Sequence, residues 1–136
     1  MTTELMKYCH VHGIADKVIF TGGVSRDEVL GWLKNCDIHV IPVRFMNSGA
    51  VVVETWASYR PVLQSDVVDP NLVVEGQNGF LFKSRDVKNL AHKMQVCYEN
   101  RAEFDLMAKK GRELVETKFN YQYLINLYEK TYEEII

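Results

Sequence analysis

The sequence is poorest in the features that would place it in a specialised class. No apolar run approaches the length of about 20 residues needed to cross a bilayer. The opening residues, MTTELMKYCHVHG, lack both the basic start and the apolar core of a secretory signal. A cytoplasmic location is therefore expected, with at most peripheral membrane association of a complete protein. The three cysteines, Cys9, Cys36 and Cys97, are odd in number and far apart. Without a C-x-x-C pair they indicate neither a zinc site nor a disulfide framework, and they read as reduced, buried thiols. Basic charge is not in excess: 16 Lys and Arg face 18 Asp and Glu, for a net charge of −2. That balance excludes the electrostatic footprint of a nucleic-acid binder. No P-loop, G-x-G-x-x-G or Ser-His-Asp pattern is evident. Cys9-His10-Val11-His12 invites a metal reading, but residues two apart on a helix do not face each other, so surface histidines are expected and no metal.

What remains is ordinary globular material, 136 residues of which 47% are hydrophobic and 25% charged, the size of one domain. Residues 5–11 read as the end of a helix stopped by Gly13. Residues 17–21 read as a short strand closed by Gly22-Gly23. Ser25 and Glu28 have the spacing of a capping box, with a helix to about Asn35. Residues 37–43 form a near-continuous apolar run, as a strand covered on both faces requires. From Phe45 a loop and helix follow, then strands at 61–64 and 79–82, separated by the turn signal Glu75–Gly79. Asp86 is placed to cap a helix from Val87 to about Glu99, and two more helices are expected at 101–117 and 121–136. Such alternation indicates an α/β domain with a Rossmann-like, mainly parallel sheet and helices on both faces. Ligands bind such sheets at the carboxyl ends of the strands, so the loop after Ile41-Pro42-Val43 is the first candidate site.

That loop runs Asn47-Ser48-Gly49-Ala50 into a helix. The first amides of a helix lack internal partners and carry partial positive charge, and glycine lets a ligand approach the backbone. Phosphate or sugar hydroxyls suit such an end, although Asn47 or Ser48 could simply cap the helix. Glu54 stands further along the same helix among residues that read as buried. A carboxylate there is costly unless partnered. It could accept from the two hydroxyls of a ribose, tip into solvent, or pair with an arginine such as Arg44.

Several pieces in order carry a family likeness: Val18-Ile19-Phe20-Thr21-Gly22, Asp27-Glu28-Val29-Leu30 and Cys36-Asp37-Ile38-His39-Val40-Ile41-Pro42. The order continues with Ser48-Gly49-Ala50-Val51-Val52-Val53-Glu54, Arg60-Pro61-Val62 and Gly76-Gln77-Asn78-Gly79-Phe80-Leu81. Together they resemble the C-terminal, donor-binding half of a group 1 (family 4) retaining glycosyltransferase of the GT-B fold. The resemblance implies a nucleoside diphosphate sugar as donor substrate, with no metal or other cofactor. It places Glu54 on the donor ribose, and Ser48, Gly49 and Ala50, with Asn47 beside them, on the donor phosphate and sugar. Residues 1–136 then form a single, N-terminally incomplete donor domain, with the helices of about 101–136 packed on it.

The departures from the family pattern are specific. Met46 stands at the position of the first of two family glutamates, where a thioether cannot accept hydrogen bonds. Tyr59 replaces a usual glycine, Val67-Val68 replaces a glycine pair, and Asn71 stands where glutamate is common. Each adds bulk or removes a polar group near the expected donor pocket. Three functions follow: a donor-binding part completed by a separate N-terminal glycosyltransferase half, a catalytically degenerate interaction module, or an unrelated doubly wound phosphate binder.

Overall fold

The structure is a computed structural model that describes residues 2–45, 49–67, 69 and 71–135. Helix α1 (Thr2–Val11) is followed by a 3-10 turn at Ala15–Lys17, then α2 (Arg26–Asn35) and strand β1 (His39–Ile41). Next come α3 (Ala50–Ala57), β2 (Val62–Ser65) and β3 (Phe80–Phe82). Three helices finish the chain: α4 (Val87–Glu99), α5 (Phe104–Lys118) after a 3-10 turn at Arg101–Glu103, and α6 (Tyr121–Glu133). The strands lie side by side in chain order and all run parallel, with Val40 opposite Leu63 and Leu63 opposite Phe80.

Local sequence accounts for most boundaries. The capping box forms as expected: the Glu28 amide donates to Ser25 Oγ (3.3 Å) and the Ser25 amide to Glu28 Oε2 (2.9 Å). That backbone bond, followed by one from the Ser25 hydroxyl, holds the Glu28 carboxyl below its ordinary pKa. The Asp86 side chain accepts from the Asn89 amide and starts α4; Asn120 does the same for α6 through the Tyr123 amide.

Alternation along β2 divides the core. Val62 packs on one face with Ile41, Val52, Trp56 and Val73. Leu63 packs on the other with Phe80, Phe82, Cys97 and Met107. Helix α3 covers the first face and α4 the second, while α5 sends Met107 to one cluster and Leu114 to the other. This is the Rossmann-like α/β arrangement expected, with helices on both faces of a parallel sheet.

Three expectations change. Residues 17–21 form no strand: Val18 has extended dihedrals (φ −121°, ψ 122°), but the segment enters no ladder, and a strand exists only where a neighbour takes its hydrogen bonds. Residues 37–43 shrink to three strand residues, and His39 and Val40 are only half-buried, because β1 is the edge of this sheet. Helix α6 buries no residue; Tyr121, Tyr128 and Tyr132 are exposed rather than seated on the domain.

Trp56 is the tightest point of the core. It is fully buried, and its indole Nε1 donates to Asn78 O (3.0 Å). Helix α5 approaches it through Gly111, where an added Cβ would fall 2.3 Å from Trp56 Cδ1. A mid-helix glycine costs about 1 kcal/mol relative to alanine, a cost offset here by the close contact of α5 with α3. Beside Trp56, the Thr55 hydroxyl donates to Val51 O (2.7 Å) and lies 2.7 Å from His39 Nδ1. With its proton committed to Val51, Thr55 must accept, so the neutral imidazole carries its proton on Nδ1. Burial pushes the His39 pKa down.

Two outcomes follow. Gly111→Val forces the indole or α5 to move and should lower stability by about 1–3 kcal/mol, read as a lower urea midpoint. For His39 the folded state resists the proton, so its contribution is complete above about pH 6.5 and is lost as pH falls from there through the lower folded value. Between pH 8 and pH 5.5, His39→Asn should therefore show a smaller fall in urea midpoint than the parent chain.

Candidate functional site

At the carboxyl end of β1 the chain reaches Gly49, which caps α3 in the left-handed region (φ 69°, ψ 0°) with no side-chain cap bond. Met46, Asn47 and Ser48 lie outside the described residues. Gly49 O accepts from the Val52 and Val53 amides (2.9 and 3.2 Å). The earlier amides of Ala50 and Val51 have no acceptor within the helix, which is what makes this end attractive to an anion.

Ala50 and Glu54 stand four residues apart and share one helix face. Both line a cavity of about 410 Å³ with Val53, Asp69, Leu72, Phe119 and Leu124. That volume lies within the range of small-ligand sites, roughly 300–1,000 Å³. Its walls are apolar except for the two carboxylates and the start of α3.

Of the alternatives open to Glu54 in the sequence, the structure shows the exposed one with an arginine partner. Its side chain is 47% exposed, and Ala57 beside it is exposed as well. Its cation is Arg26 from the start of α2, at 3.8 Å, rather than Arg44. A pair this exposed contributes on the order of 0–1 kcal/mol, so a ligand hydroxyl can displace it at little cost.

Sequence reasoning missed three contributors. Asp69 reaches the cavity from the segment after β2, and its Oδ1 accepts from the Asn71 amide (2.9 Å). The D-P-N sequence is a turn signal that could have marked it. Phe119 and Leu124 arrive from the α5–α6 junction, and nothing local announces that. A fourth residue, Gln64, is fully buried on β2, and neither polar atom of its amide has a hydrogen-bond partner among the described residues. It stands in register with Ile41 and Leu81, on the α3 face.

The departures from the family pattern fall in different places. Tyr59 (φ 60°) precedes β2, so it sits at the amino ends of the strands, away from Gly49. There it lines a separate cavity with Asp37, Arg60 and Arg101. Its expected effect on the donor pocket is therefore corrected by topology. Asn71 lines another cavity, about 480 Å³, with Lys110, Glu113 and Lys118. Val67 is half-buried in a turn, and Val68 lies outside the described residues.

The shifted thiols lie elsewhere. Burial, reinforced by Glu75, pushes Cys97 up to about 11, and burial raises Cys36. Both are inert packing groups rather than nucleophiles. His10 and His12 are exposed on α1, and no group of three His, Cys, Asp or Glu among the described residues could hold a metal ion.

Gly49→Ala tests the backbone here. An L-residue in the left-handed region costs roughly 1–2 kcal/mol, and the new Cβ would meet Leu72 Cδ2 at 2.5 Å. A loss of stability of about 1–2 kcal/mol is expected by urea titration.

Known proteins resemble the chain in sequence and in fold. The sequence pattern of the group 1 glycosyl transferases matches residues 2–100. An uncharacterized glycosyltransferase of Methanocaldococcus jannaschii is 29% identical over 115 residues, covering 84% of this chain and 32% of its own. A GDP-mannose-dependent alpha-(1-6)-phosphatidylinositol monomannoside mannosyltransferase of Mycobacterium tuberculosis is 28% identical over 128 residues, covering 88% and 33%. The chain spans about a third of the length of these curated relatives. Among solved structures, the C-terminal domain of a group 1 family glycosyl transferase (LpcC) from Francisella tularensis superposes with a TM-score of 0.80 at 24% identity. It covers 88% of this chain and 63% of that one. Anabaena HepE in complex with UDP-glucose gives 0.79 at 22% identity, covering 98% and 36%. These structures share the α/β fold of this chain, that of the C-terminal half of GT-B enzymes. By the match over residues 2–100, the chain belongs to the group 1 glycosyl transferases.

Proposed function

We propose that this chain is the donor-binding part of a sugar transferase and holds a nucleoside diphosphate sugar at the start of α3. The observation that carries the reading is the alignment of Ala50 and Glu54 on one face of α3, above Gly49 in the left-handed region, in a single cavity. Each part has a distinct task. The α3 amides and dipole attract the diphosphate and sugar oxygens, with Asn47, Ser48, Gly49 and Ala50 forming that loop. Glu54 exchanges its loose contact with Arg26 for two hydrogen bonds from the ribose hydroxyls. The apolar wall of Val53, Leu72 and Phe119 keeps water from competing. Nothing in this arrangement requires a metal, because backbone amides supply the positive potential.

The relatives support the donor class by what they bind. HepE is solved with UDP and with UDP-glucose, and the mycobacterial relative is GDP-mannose-dependent. In this reading the sugar passes from the donor to an acceptor only when a separate N-terminal glycosyltransferase half closes the cleft. Met46, at the position of a family glutamate, would then leave one sugar contact unmade.

Calorimetric titration of UDP-, GDP- and ADP-sugars tests the proposal. One of them should bind, and Glu54→Ala should weaken it about 10- to 100-fold, the loss of hydrogen bonds to a charged acceptor. If none binds even with an N-terminal glycosyltransferase half supplied, the donor reading is wrong and the degenerate interaction module takes its place.

A further inference from the structure

Among the described residues, two that are not glycine hold a positive φ, Tyr59 and Arg85, and Arg85 (φ 63°) stands just past the carboxyl end of β3. It is the third residue of a four-residue turn that the Asp86 amide closes on Lys83 O (3.2 Å), where a positive φ favours glycine. An arginine in that place is strained. Such strain persists only where the surroundings fix it, and it gathers at ligand sites. Here the surroundings are firmly tied. The Lys83 amide donates to Asn89 Oδ1 (2.7 Å) and the Ser84 amide to Asp66 Oδ1 (2.8 Å). The hydroxyls of Ser65 (2.8 Å) and Ser84 (3.4 Å) both donate to Val43 O, which laces the ends of the three strands together.

The turn aims Arg85 at one partner. Its Cζ lies 5.5 Å from the centre of the Phe45 ring, so the pair spans the end of β2, which lies between their strands. Phe45 is 73% exposed. The stack therefore buries little, and packing alone does not account for the strained turn. A guanidinium over a ring keeps its in-plane N–H groups free for the oxygens of an anion. No carboxylate among the described residues forms an ion pair with Arg85, nor with its exposed neighbours Arg44 and Lys83. Asp66 and Asp86 accept from backbone amides instead. Neither Phe45 nor Arg85 lines the cavity of Ala50 and Glu54. That cavity lies along α3, whereas the Arg85 turn leads into α4 on the opposite face of the sheet.

We infer that Arg85, stacked on Phe45, is an oxyanion-binding point separate from the donor cavity, and that it takes a phosphate or carboxylate carried by the acceptor. Its guanidinium donates two N–H groups to two oxygens of the anion, and the Phe45 ring holds the guanidinium plane in place. Arg44 and Lys83 add positive potential at the same strand ends. The inference rests on the donor reading: with the donor along α3, the α4 side of the same strand ends is left to the second substrate of the transfer. Arginine is kept in a position suited to glycine because a glycine there binds nothing.

The probe is inorganic pyrophosphate, titrated into the 136-residue chain at low ionic strength and followed by calorimetry and by the Arg85 Nε–H resonance. The resonance should shift saturably. Arg85→Gly should weaken pyrophosphate binding about tenfold or more, while its urea midpoint rises because glycine relieves the turn. Phe45→Ala should weaken the binding as well, with no rise in midpoint. A saturating nucleotide sugar should leave the Arg85 shift in place. The proposal is overturned if Arg85→Gly binds pyrophosphate as tightly as the parent chain, or if its urea midpoint falls, which would make Arg85 a structural residue. It is equally overturned if a bound nucleotide sugar displaces pyrophosphate from Arg85, since the point would then belong to the donor. If no nucleotide sugar binds, the donor reading fails by itself, and the Arg85→Gly comparison still decides the oxyanion site.

Discussion

Trp56 is the wedge on which the domain closes. Its indole is fully buried between the sheet and α5, and its size sets the separation of the layers on that face. Two concessions in the surrounding chain make room for it: a glycine in the middle of α5, and a backbone carbonyl of Asn78 turned to receive the indole proton. Asn78 in turn ties its own loop, accepting from the Val74 amide (2.8 Å) and donating to Leu72 O (3.1 Å). One large side chain thereby fixes the helix that carries it, the helix that crosses it and the loop leading into β3.

The candidate site inherits its geometry from that anchor. Trp56 sits two residues after Glu54 on α3, so the side of the helix that it buries leaves Glu54 and Ala50 on another side, facing open space. Leu72, held by the Asn78 loop, closes the cavity over Gly49. The site therefore consists of a helix start, two exposed carboxylates and an apolar wall, which suits recognition of a polar ligand. The thiols with raised pKa are packed elsewhere, and the half-buried His39 serves a hydrogen bond with Thr55.

The legible parts of the chain were those governed by interactions within a few residues. Ser25 with Glu28, Asp86 with Asn89 and the Gly79–Phe82 segment all appear close to where local pattern puts them. The strand expected at 17–21 was misread for the opposite reason. Its β-rich composition describes a residue type that favours a sheet, but a strand needs a partner, and β1 is not beside it. Glu54 was left open between a ribose, solvent and an arginine, and the helix turns it outward toward Arg26. Asp69, Phe119 and Leu124 could not be assigned to the site at all, since they meet only through the packing of distant segments.

By itself the sequence determined the class of the molecule: alternating elements, caps, turn residues and the ordered motifs of a sugar-transferase donor domain. These are short-range preferences, and they survive without knowledge of the fold. Tertiary structure decided which face of α3 is buried, which residues share a cavity, and in what order the described strands lie in the sheet. Those outcomes depend on contacts between residues far apart in the chain, where volume and hydrogen-bond geometry, rather than local propensity, select the arrangement.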